Sequence, residues 1–565
     1  DSEMVRTIIK TEDVDFTLEE IRQSGGDVRS IVGNIITAII PPSKLNAIGA
    51  LKEIKYVEAS KPMNFFNDLA DADTDVNSVI TGSGLEAAYE GSGVIIGVID
   101  SGIDITHPDF QDENGDRRIL YIWDQTDDMG PGPSEIESTY GTEYDTTAIA
   151  EGIVSQVDTV GHGTHVTGTA AGRDDTYPGV ASEASIIMVK TNGESAELID
   201  AANYIFQKSA ALEMPAAINM SLGTEIGAHD GTSLLEQGLD TLLDSQSGRA
   251  IIAAAGNSGQ LTGGRHANLD IDVSNMAAIR LDGSSASYSV IDIWGSQDCD
   301  VDLTAIIPGE GDIAALIAGS TWVSQGESVG GTFVDSGIEI EFDRTETVNA
   351  ENGKWQSLIG IAPVYGYVFD IVFRANSSSC TSLDVWIHDN TAASYFEGID
   401  ETIDDVVYHP GDNLSTVALP ATATNVIAVA AYTTRTKWIA GGVEMEPYTD
   451  IALDDLAFFS SRGPAISSSQ GEKPTLAAPG AFLISAFSKD TESVTPGMLM
   501  DDGIHIAMAG TSMASPHVAG IVATMLEASP ELSYADIMLY LKATSRIDSY
   551  VGSIPNDDWG YGKID

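Results

Sequence analysis

Apolar residues along this chain fall into two kinds of pattern. Short β-branched runs predict buried strands, and longer stretches with apolar positions three and four residues apart predict helices. In chain order the pattern predicts a strand at 94–100, a strand at 184–190, a helix at 196–211, a strand at 217–222, a helix at 234–244 and a strand at 250–255. Alternation of this kind predicts an α/β fold, with a parallel sheet and helices on both of its faces.

Two regions depart from this alternation. Residues 264–413 show β-like runs separated by Gly, Ser and Asp, which predicts an inserted all-β sandwich, jelly-roll-like in kind. Its runs are 288–294, 332–334, 338–342, 367–373 and 383–387. Residues 1–62 follow a β-α-β-β-α-β order. The predicted organisation is an N-terminal α+β unit at 1–62, an acidic linker at 63–82, the first part of the α/β domain at 83–263, the insertion at 264–413 and the second part of the α/β domain at 414–565.

Composition narrows the choice of partners. The chain has 565 residues, with 85 acidic and 27 basic side chains and a formal net charge of −58. Such a charge disfavours nucleic acid and anionic membrane surfaces as partners. No apolar run approaches the length of a membrane span. Because the first residue is Asp, we expect a fragment or a processed form, and a secretion signal is neither supported nor excluded.

The two cysteines, Cys299 and Cys380, have no companions at metal-ligand spacing, so we do not expect a zinc site. They pair with each other if the compartment is oxidising, and two free buried thiols are the alternative. No stretch shows the spacing of an EF-hand calcium loop.

Three motifs carry the candidate chemistry. The stretch 510–520 predicts a buried helix with Ser512 in its first turn, where free N–H groups and the positive end of the helix dipole suit a nucleophilic hydroxyl. A simple capping role for Ser512 is the alternative. Asp100 ends a predicted buried strand, and His162 stands at the entry to a helix of small residues. The order Asp, His, Ser along the chain matches that of subtilisin.

These motifs and several supporting blocks resemble the subtilase (S8) family of serine peptidases. The blocks are 98–102, 162–166, 179–181, 219–223, 254–257, 459–464, 477–480 and 510–514. The resemblance implies a subtilisin-like fold with Ser512 as nucleophile, His162 as general base and acid, and Asp100 orienting the imidazole. It also implies that the Asn257 amide completes an oxyanion hole with the Ser512 N–H.

Further site residues follow from the same resemblance. Ser221-Leu222-Gly223 resembles the edge to which a substrate peptide adds as an extended strand, and Gly256 borders the first specificity pocket. The opposite wall, Asn192-Gly193-Glu194, is shorter than usual in the family. His165 lies one turn beyond His162, and we expect it to pack inside the protein.

The N-terminal unit resembles the inhibitory propeptide of subtilases, which assists folding and places its tail in the active site. An ordinary accessory domain is the alternative, and we place the processing point in 63–82. The segment 121–126 and the inserted sandwich resemble the subgroup of clostridial Csp germination proteases. For the insertion, a rigidifying role and carbohydrate binding are both considered.

The sequence therefore predicts a serine endopeptidase that is made as a zymogen, cleaves its own propeptide and acts on protein or peptide substrates. We expect no catalytic metal and no required cofactor. Structural calcium is a further expectation, although the loop 172–178 is shorter than the calcium loop of the family. The alternative is a catalytically silent, subtilase-like binding or regulatory protein, against which the presence of Asp100, His162, Ser512 and Asn257 counts. We expect an extracellular or cell-envelope location.

Overall fold

The structure is a computed structural model. It describes residues 4–65, 79–81, 87–137, 140–259, 263–283, 288–308, 313, 316–317, 320, 322–324, 328–333, 338–344, 348–362, 364, 366–389, 394–448 and 451–565. Most of the predicted linker, residues 66–78 and 82, lies outside the described residues, as does residue 334 of the predicted run at 332–334.

The described strands and helices are named in chain order. The strands are β1 Val5–Thr11, β2 Asp27–Val32, β3 Ile35–Ile40, β4 Ile54–Ala59, β5 Asn64–Phe65, β6 Ile95–Asp100, β7 Ile119–Asp124, β8 Thr142–Tyr144, β9 Ser185–Lys190, β10 Ala216–Met220, β11 Leu222–Gly223, β12 Arg249–Ala254, β13 His266–Asp270, β14 Met276–Asp282, β15 Ser289–Ser296, β16 Val301–Ile306, β17 Ser328–Phe333, β18 Ile338–Arg344, β19 Lys354–Ala362, β20 Val368–Ala375, β21 Ser382–His388, β22 Tyr395–Phe396, β23 Thr402–Ile403, β24 Val406–Tyr408, β25 Ile427–Thr433, β26 Trp438–Ala440, β27 Val443–Met445, β28 Leu476–Ala481, β29 Leu483–Ala486 and β30 His505–Met508. The helices are α1 Val14–Gln23, α2 Pro42–Gly49, α3 Thr146–Glu151, α4 His162–Ala171, α5 Ser195–Leu212, α6 Leu234–Leu243, α7 Thr511–Ala528 and α8 Tyr534–Thr544.

An eight-stranded sheet forms the centre of the α/β part, in the order β28-β25-β12-β10-β6-β9-β7-β8. Its strands run parallel to their neighbours, except that β8 is antiparallel to β7. Every residue of β6, from Ile95 to Asp100, is buried, as its continuous apolar sequence requires of a strand covered on both faces. Because parallel strands end at the same edge of a sheet, Asp100 lies at the carboxyl edge.

Helices cover both faces of this main sheet, which confirms the predicted α/β fold. On one face, α4 and α7 contribute Val166, Ala170 and Val518 to a large apolar core. On the other face, α5 and α6 contribute Leu198 and Leu239 to a second core. Among the described residues, no helix combines the length and apolar character that crossing a membrane requires.

The N-terminal part is a four-stranded antiparallel sheet in the order β2-β3-β1-β4, with α1 and α2 against it. Three of its apolar side chains, Ile8, Val32 and Ile35, belong to the core that also contains α5 and α6. The Thr37 hydroxyl donates to the Asp200 carboxylate of α5 at 2.5 Å. This unit therefore rests on the helices of one face of the main sheet.

Residues between β13 and β24 form two sheets packed face to face. One has the order β13-β21-β15-β19-β18-β17 and the other β16-β20-β14-β24-β23. Side chains from both sheets, such as Ile293 and Phe373, share one core. A disulfide joins Cys299 to Cys380 beside that core. We call this region the sandwich.

Two features of the strand pattern differ from the prediction. No strand is predicted between Asp100 and His162, but this stretch adds β7 and β8 to the main sheet, because the apolar Ile119–Asp124 segment pairs along the edge of β9. In the sandwich, β13, β14, β16 and β19 lie outside the predicted runs. Each of them contains Asp, Asn, Ala or Gly, residues that are depleted in strands, which weakens the sequence signal.

Candidate active site

Asp100 and His162 form a buried pair at the carboxyl edge of the main sheet. Asp100 ends β6 and His162 begins α4, and both side chains are fully buried. Asp100 Oδ1 accepts hydrogen bonds from His162 Nδ1 at 2.8 Å and from the Ser101 N–H at 2.7 Å, whereas Asp100 Oδ2 has no hydrogen-bond partner among the residues that the structure describes. The pairing places the imidazole proton on Nδ1 and makes Nε2 the basic nitrogen.

A second buried carboxylate, Asp158, holds the beginning of α4. Its Oδ1 accepts from Ser101 Oγ and from the Gly161 N–H, both at 2.8 Å, and its Oδ2 accepts from the N–H and the hydroxyl of Thr164 at 2.8 and 2.7 Å. Burial raises the pKa of Asp158 against the lowering effect of these bonds. The sequence prediction missed Asp158, and its only signal was an acidic residue shortly before the helix, where capping residues occur.

Ser512 lies in the first turn of α7 and is buried. Its hydroxyl donates to the Ser221 carbonyl at 3.0 Å. Helices α4 and α7 pack against each other, so closely that a Cβ on Gly520 would lie 2.9 Å from the Ala170 carbonyl oxygen. Ala170 is as many residues beyond His162 in α4 as Gly520 is beyond Ser512 in α7. This relation is expected when the first turns of the two helices lie side by side.

Asn257 follows β12, and Thr511 fixes the orientation of its amide. Asn257 Oδ1 accepts from the N–H and the hydroxyl of Thr511, both at 3.0 Å, and the Thr511 hydroxyl accepts from the Gly256 N–H at 3.1 Å. Because two donors hold the amide oxygen, Nδ2 is turned away from Thr511 and can donate to an oxyanion that forms at Ser512. Thr511 was not a predicted site residue, and its adjacency to Ser512 was the only sequence signal.

The segment 61–65, which we call the tail, lies between β11 and the segment 193–195 at the start of α5. Strand β5 of the tail pairs antiparallel with β11, so that Phe65 faces Leu222. On the other side, the Met63 N–H donates to the Gly193 carbonyl at 2.5 Å, and Ser195 donates its N–H to the Lys61 carbonyl at 2.8 Å. An extended segment added to a strand edge is a common mode of peptide binding. The predicted edge and the short opposite wall therefore both hold the tail.

Ser221 and Gly256 contribute backbone atoms, and not side chains, to the candidate active site. The Ser221 hydroxyl donates to the Ser512 carbonyl at 2.7 Å and accepts from Asn219 Nδ2 at 2.9 Å, so it is engaged inside the protein. Gly256 has φ +109°, and a Cβ there would lie 2.8 Å from Ser461 Oγ. Glycine is therefore required beside the oxyanion-hole candidate.

His165 packs in the interior, as expected. Its Nε2 lies 3.1 Å from the Leu483 carbonyl and 3.2 Å from the Ile506 carbonyl, and its ring is fully buried. Burial and the neighbouring His162 lower the pKa of His165 to about 3. The ring stays neutral at any ordinary pH and holds α4 against β29 and β30.

In the part of the chain that the structure describes, Asp109, Asp174 and His505 bring potential metal-binding atoms within 4.8 Å of one another. His505 Nε2 lies 3.1 Å from Asp109, and its Nδ1 lies 2.8 Å from Asp502. Although burial acts in the opposite sense, these two carboxylates raise the pKa of His505 to about 9. An imidazolium already occupies this position, and Ca²⁺ prefers oxygen ligands. The cluster does not fit the calcium ion that the family resemblance led us to consider.

An Asp–His pair and a helix-borne serine at the carboxyl edge of a parallel α/β sheet define the class of subtilisin-like serine peptidases. The family model described as "Subtilase family" (Peptidase_S8) matches residues 91–305 and 374–562. The match covers more than half of the chain, so the chain belongs to the subtilase family. The resemblance inferred from the motifs is confirmed.

Curated relatives agree with this membership. The minor extracellular protease Vpr of Bacillus subtilis is 21% identical over 529 residues, which are 90% of this chain and 56% of Vpr. A subtilisin of Bacillus sp. strain TA39 is 28% identical over 300 residues, which are 49% of this chain and 62% of the subtilisin. The chain thus spans less than two thirds of the length of either relative.

Solved structures point to the predicted subgroup. The CspB protease of Clostridium perfringens has a TM-score of 0.67 and 26% identity, with 87% of this chain and 96% of CspB covered. Fervidolysin of Fervidobacterium pennivorans has a TM-score of 0.50 and 15% identity, with 100% of this chain and 60% of that chain covered, and is similar in fold. The likeness to Csp proteases is confirmed.

Proposed function

We propose that this chain is a serine endopeptidase that hydrolyses peptide bonds through an acyl-enzyme intermediate. The observation that carries the proposal is the buried Asp100–His162 hydrogen bond of 2.8 Å at the edge where the Ser512 helix begins. Membership of the subtilase family supports it.

In the proposed reaction, Ser512 Oγ attacks the carbonyl carbon of the scissile peptide while His162 Nε2 takes its proton. For this step the hydroxyl turns from the Ser221 carbonyl towards the imidazole. Asp100 stabilises the imidazolium that forms, and the Asn257 amide with the Ser512 N–H stabilises the oxyanion. His162 then protonates the leaving amine, and a water molecule, activated by the same imidazole, hydrolyses the acyl-enzyme.

The proposed substrates are proteins or peptides that bind in extended form between β11 and the wall at Gly193. The tail already makes these backbone contacts, with β5 on β11 and the Met63 N–H on Gly193. Backbone hydrogen bonds to a strand edge do not depend on side-chain identity, so side-chain preference must come from the pockets along the edge.

We further propose that the N-terminal unit is a propeptide that the enzyme cleaves itself. Strand β5 ends at Phe65, opposite Leu222, and the carbonyl of the preceding Ser221 accepts a hydrogen bond from Ser512. Because β5 is antiparallel to β11, the described part of the tail comes nearest to the nucleophile at Phe65. The acidic stretch that follows is the predicted linker.

The experiment is intact-mass and denaturing-gel analysis of the purified chain beside Ser512→Ala. We expect the parent alone to be split, with an N-terminal fragment that ends within a few residues of Phe65. Splitting of both proteins at one bond would mean that another protease does the processing.

A fluorophosphonate probe separates the proposal from the silent-protein alternative. If neither protein splits but the parent is labelled at Ser512, the site is competent and processing follows another route. Absence of both splitting and labelling would favour a catalytically silent binding protein.

We place the protein outside the cell or at the cell envelope. We also propose that neither a metal nor another cofactor takes part in its chemistry. The disulfide between Cys299 and Cys380 supports an oxidising compartment, and one relative is named an extracellular protease. Peptide hydrolysis by the dialysed protein in excess EDTA tests the metal proposal, because a metal-dependent step would be lost there.

A further inference from the structure

Two chain segments, 221–225 and 255–258, continue beyond the carboxyl edge of the main sheet, close to Ser512. Neighbouring strands β10 and β12 are parallel, and Met220 pairs with Ala253. Beyond them, residues 221–225 and 255–258 are linked through a third segment, since Thr224 and Ala255 both bond to the backbone at 418–419. The space next to the Gly256 Cα is bounded by Ser461 and Ala418, so glycine keeps these segments close together. Under the proposed function, the peptide residue before the scissile bond lies beside these two segments.

The Glu225 carboxylate links the two segments through a hydrogen bond. Oε1 accepts a hydrogen bond from Ser258 Oγ at 2.7 Å, so Glu225 joins the residue after Asn257 to the segment that follows β11. The Glu225 side chain is almost fully buried. Burial alone would raise the pKa of Glu225, but the hydrogen bond and charge of His388 and the charge of Arg265 lower it to about 2. The group is a carboxylate throughout the working range of a peptidase.

The second partner of Glu225 comes from the sandwich. His388, the last residue of β21, donates through Nδ1 to Glu225 Oε2 at 3.0 Å, and the same nitrogen lies 3.4 Å from Thr224 Oγ1. His388 is 2% exposed. Strand β21 of the sandwich thus ends against the segment 221–225, whose strand β11 pairs with the tail.

We propose that Glu225 and His388 are positioning residues for substrate selection. They fix the separation of the segments 221–225 and 255–258 and thereby the shape of the pocket for the peptide residue before the scissile bond. The inserted sandwich then acts in specificity as well as in rigidity. This inference rests on the proposed peptidase function.

A purely structural role is the rival explanation, and the sandwich offers a matched control. His266 is also a buried histidine paired with carboxylates, 2.8 Å from Asp412 and 3.7 Å from Asp384. It contacts Trp386, two residues before His388 on β21. Its partners lie in the sandwich and in the chain that leaves it, away from residues 221–225 and 255–258. Loss of His266 should lower stability without changing which peptides are preferred.

The test compares peptides that differ only in the residue before the scissile bond, with alanine, leucine, phenylalanine, glutamine or lysine there. We expect Glu225→Gln and His388→Leu to change the ratios of kcat/KM among these peptides by about 10-fold or more, the range that small changes in a pocket produce. His388→Gln retains a side-chain donor and should restore part of the discrimination. Ratios for His266→Gln should stay at the parent values.

The full chain is suitable for this test. Every peptide must displace the same tail from β11, and that common factor cancels in a ratio between peptides. If His388→Leu lowers the melting temperature and leaves the ratios unchanged, the role is structural and the inference is wrong. If His388→Leu does not fold, Ser258→Ala is tested instead, because it removes only the hydroxyl that donates to Glu225. Unchanged kcat/KM ratios for Ser258→Ala would also show that the inference is wrong.

Failure of the proposed function would be seen separately. A parent protein that neither hydrolyses any peptide nor reacts with a fluorophosphonate is not a working peptidase. The relative affinities of the same peptides, measured by calorimetry on Ser512→Ala with and without Glu225→Gln, then decide the inference. Unequal changes in affinity support a shaped pocket, and equal changes contradict it.

Discussion

The carboxyl edge of the main sheet and the interior of the sandwich bury carboxylates in different ways. In the sandwich, Asp370 accepts two hydrogen bonds from the Arg280 guanidinium, at 2.6 and 2.8 Å, and one from the Tyr408 hydroxyl at 2.5 Å. At the sheet edge, Asp100 uses one oxygen for His162 and Ser101, and its other oxygen has no hydrogen-bond partner within the described part of the chain. The Asp370 pair is complete in the resting protein.

The difference shows what a site requires beyond stability. A saturated pair such as Asp370–Arg280 joins two strands and gains nothing from any later event. In the proposed mechanism, the interaction between Asp100 and His162 becomes an ion pair when His162 takes a proton. Asp100 would then stabilise the charged intermediate more than the resting state.

Replacing Asp100 by Asn would test this comparison most strongly. We expect kcat to fall about 10⁴-fold, because the amide no longer fixes the imidazole tautomer or stabilises its charge. Peptide hydrolysis and circular dichroism of Asp100→Asn would be measured together. A variant that stays folded and keeps more than a tenth of its activity would remove Asp100 from the proposed triad.

The corresponding change in the sandwich, Asp370→Asn, should affect stability and leave the chemistry intact. We expect the free energy of unfolding to fall by about 3–5 kcal/mol, because Arg280 loses its buried partner. Urea unfolding followed by fluorescence would measure it. Activity per folded molecule should match the parent, and a specific loss of kcat would mean that the two regions are coupled.

Asn257 tests the other half of the site. Asn257→Leu removes the amide donor, and we expect kcat to fall by about 10²–10³-fold, a magnitude that was measured on subtilisin itself and is not calculated from this geometry. Thr511→Val removes the hydroxyl that donates to Asn257 Oδ1 and accepts from the Gly256 N–H, and it should cost about 10-fold. KM should change little in both. An equal rise in KM would indicate a role in ground-state binding.

Glu236 sharpens the comparison, because it is a buried carboxyl held by a neutral donor, the Ser233 N–H at 3.0 Å. Burial raises its pKa from 4.5 to about 7. The folded state therefore holds the proton more tightly than the unfolded state does. This contribution is complete below about pH 4.5 and is lost as the pH rises through about 7, on the order of 2–3 kcal/mol.

Glu236→Gln should flatten the fall in unfolding free energy between pH 4.5 and 7. Denaturant titrations across that interval would measure the fall. Glu531→Gln, an exposed change elsewhere, is the control and should keep the slope of the parent. Identical slopes for Glu236→Gln and the parent would mean that Glu236 titrates normally.

The sequence was most informative where function depends on residues close together in the chain. Asp100, His162, Ser512 and Asn257 each stand in a short motif with glycines and small residues, so each was found without a structure. Asp158 and Thr511 were missed because their roles lie in the hydrogen bonds they make, and a lone Asp or Thr near a helix has many uses. The roles of these site residues remain predictions until activity is measured.

Long-range pairs had no sequence signal at all. Arg280 and Asp370 lie on β14 and β20, which are adjacent in space and far apart in the chain. The same holds for Glu225 and His388, which are joined only because the sandwich returns to the main sheet. Strands β7 and β8 were not predicted, because acidic, Gly-rich and Pro-rich residues surround them. The pairing of β7 with β9, and of β8 with β7, outweighed that composition.

Under the proposed function, the tail between β11 and Gly193 also sets how occupancy of the cleft depends on protein concentration. While the chain is intact, the tail would compete with substrate at an effective concentration fixed by its tether, typically in the millimolar range for a short connection, and dilution of the protein would not weaken it. Once the connection is cut, the same contacts obey an ordinary dissociation equilibrium, so occupancy of the cleft falls as the protein is diluted. A single peptide-bond cleavage would thus convert a concentration-independent block into a concentration-dependent one.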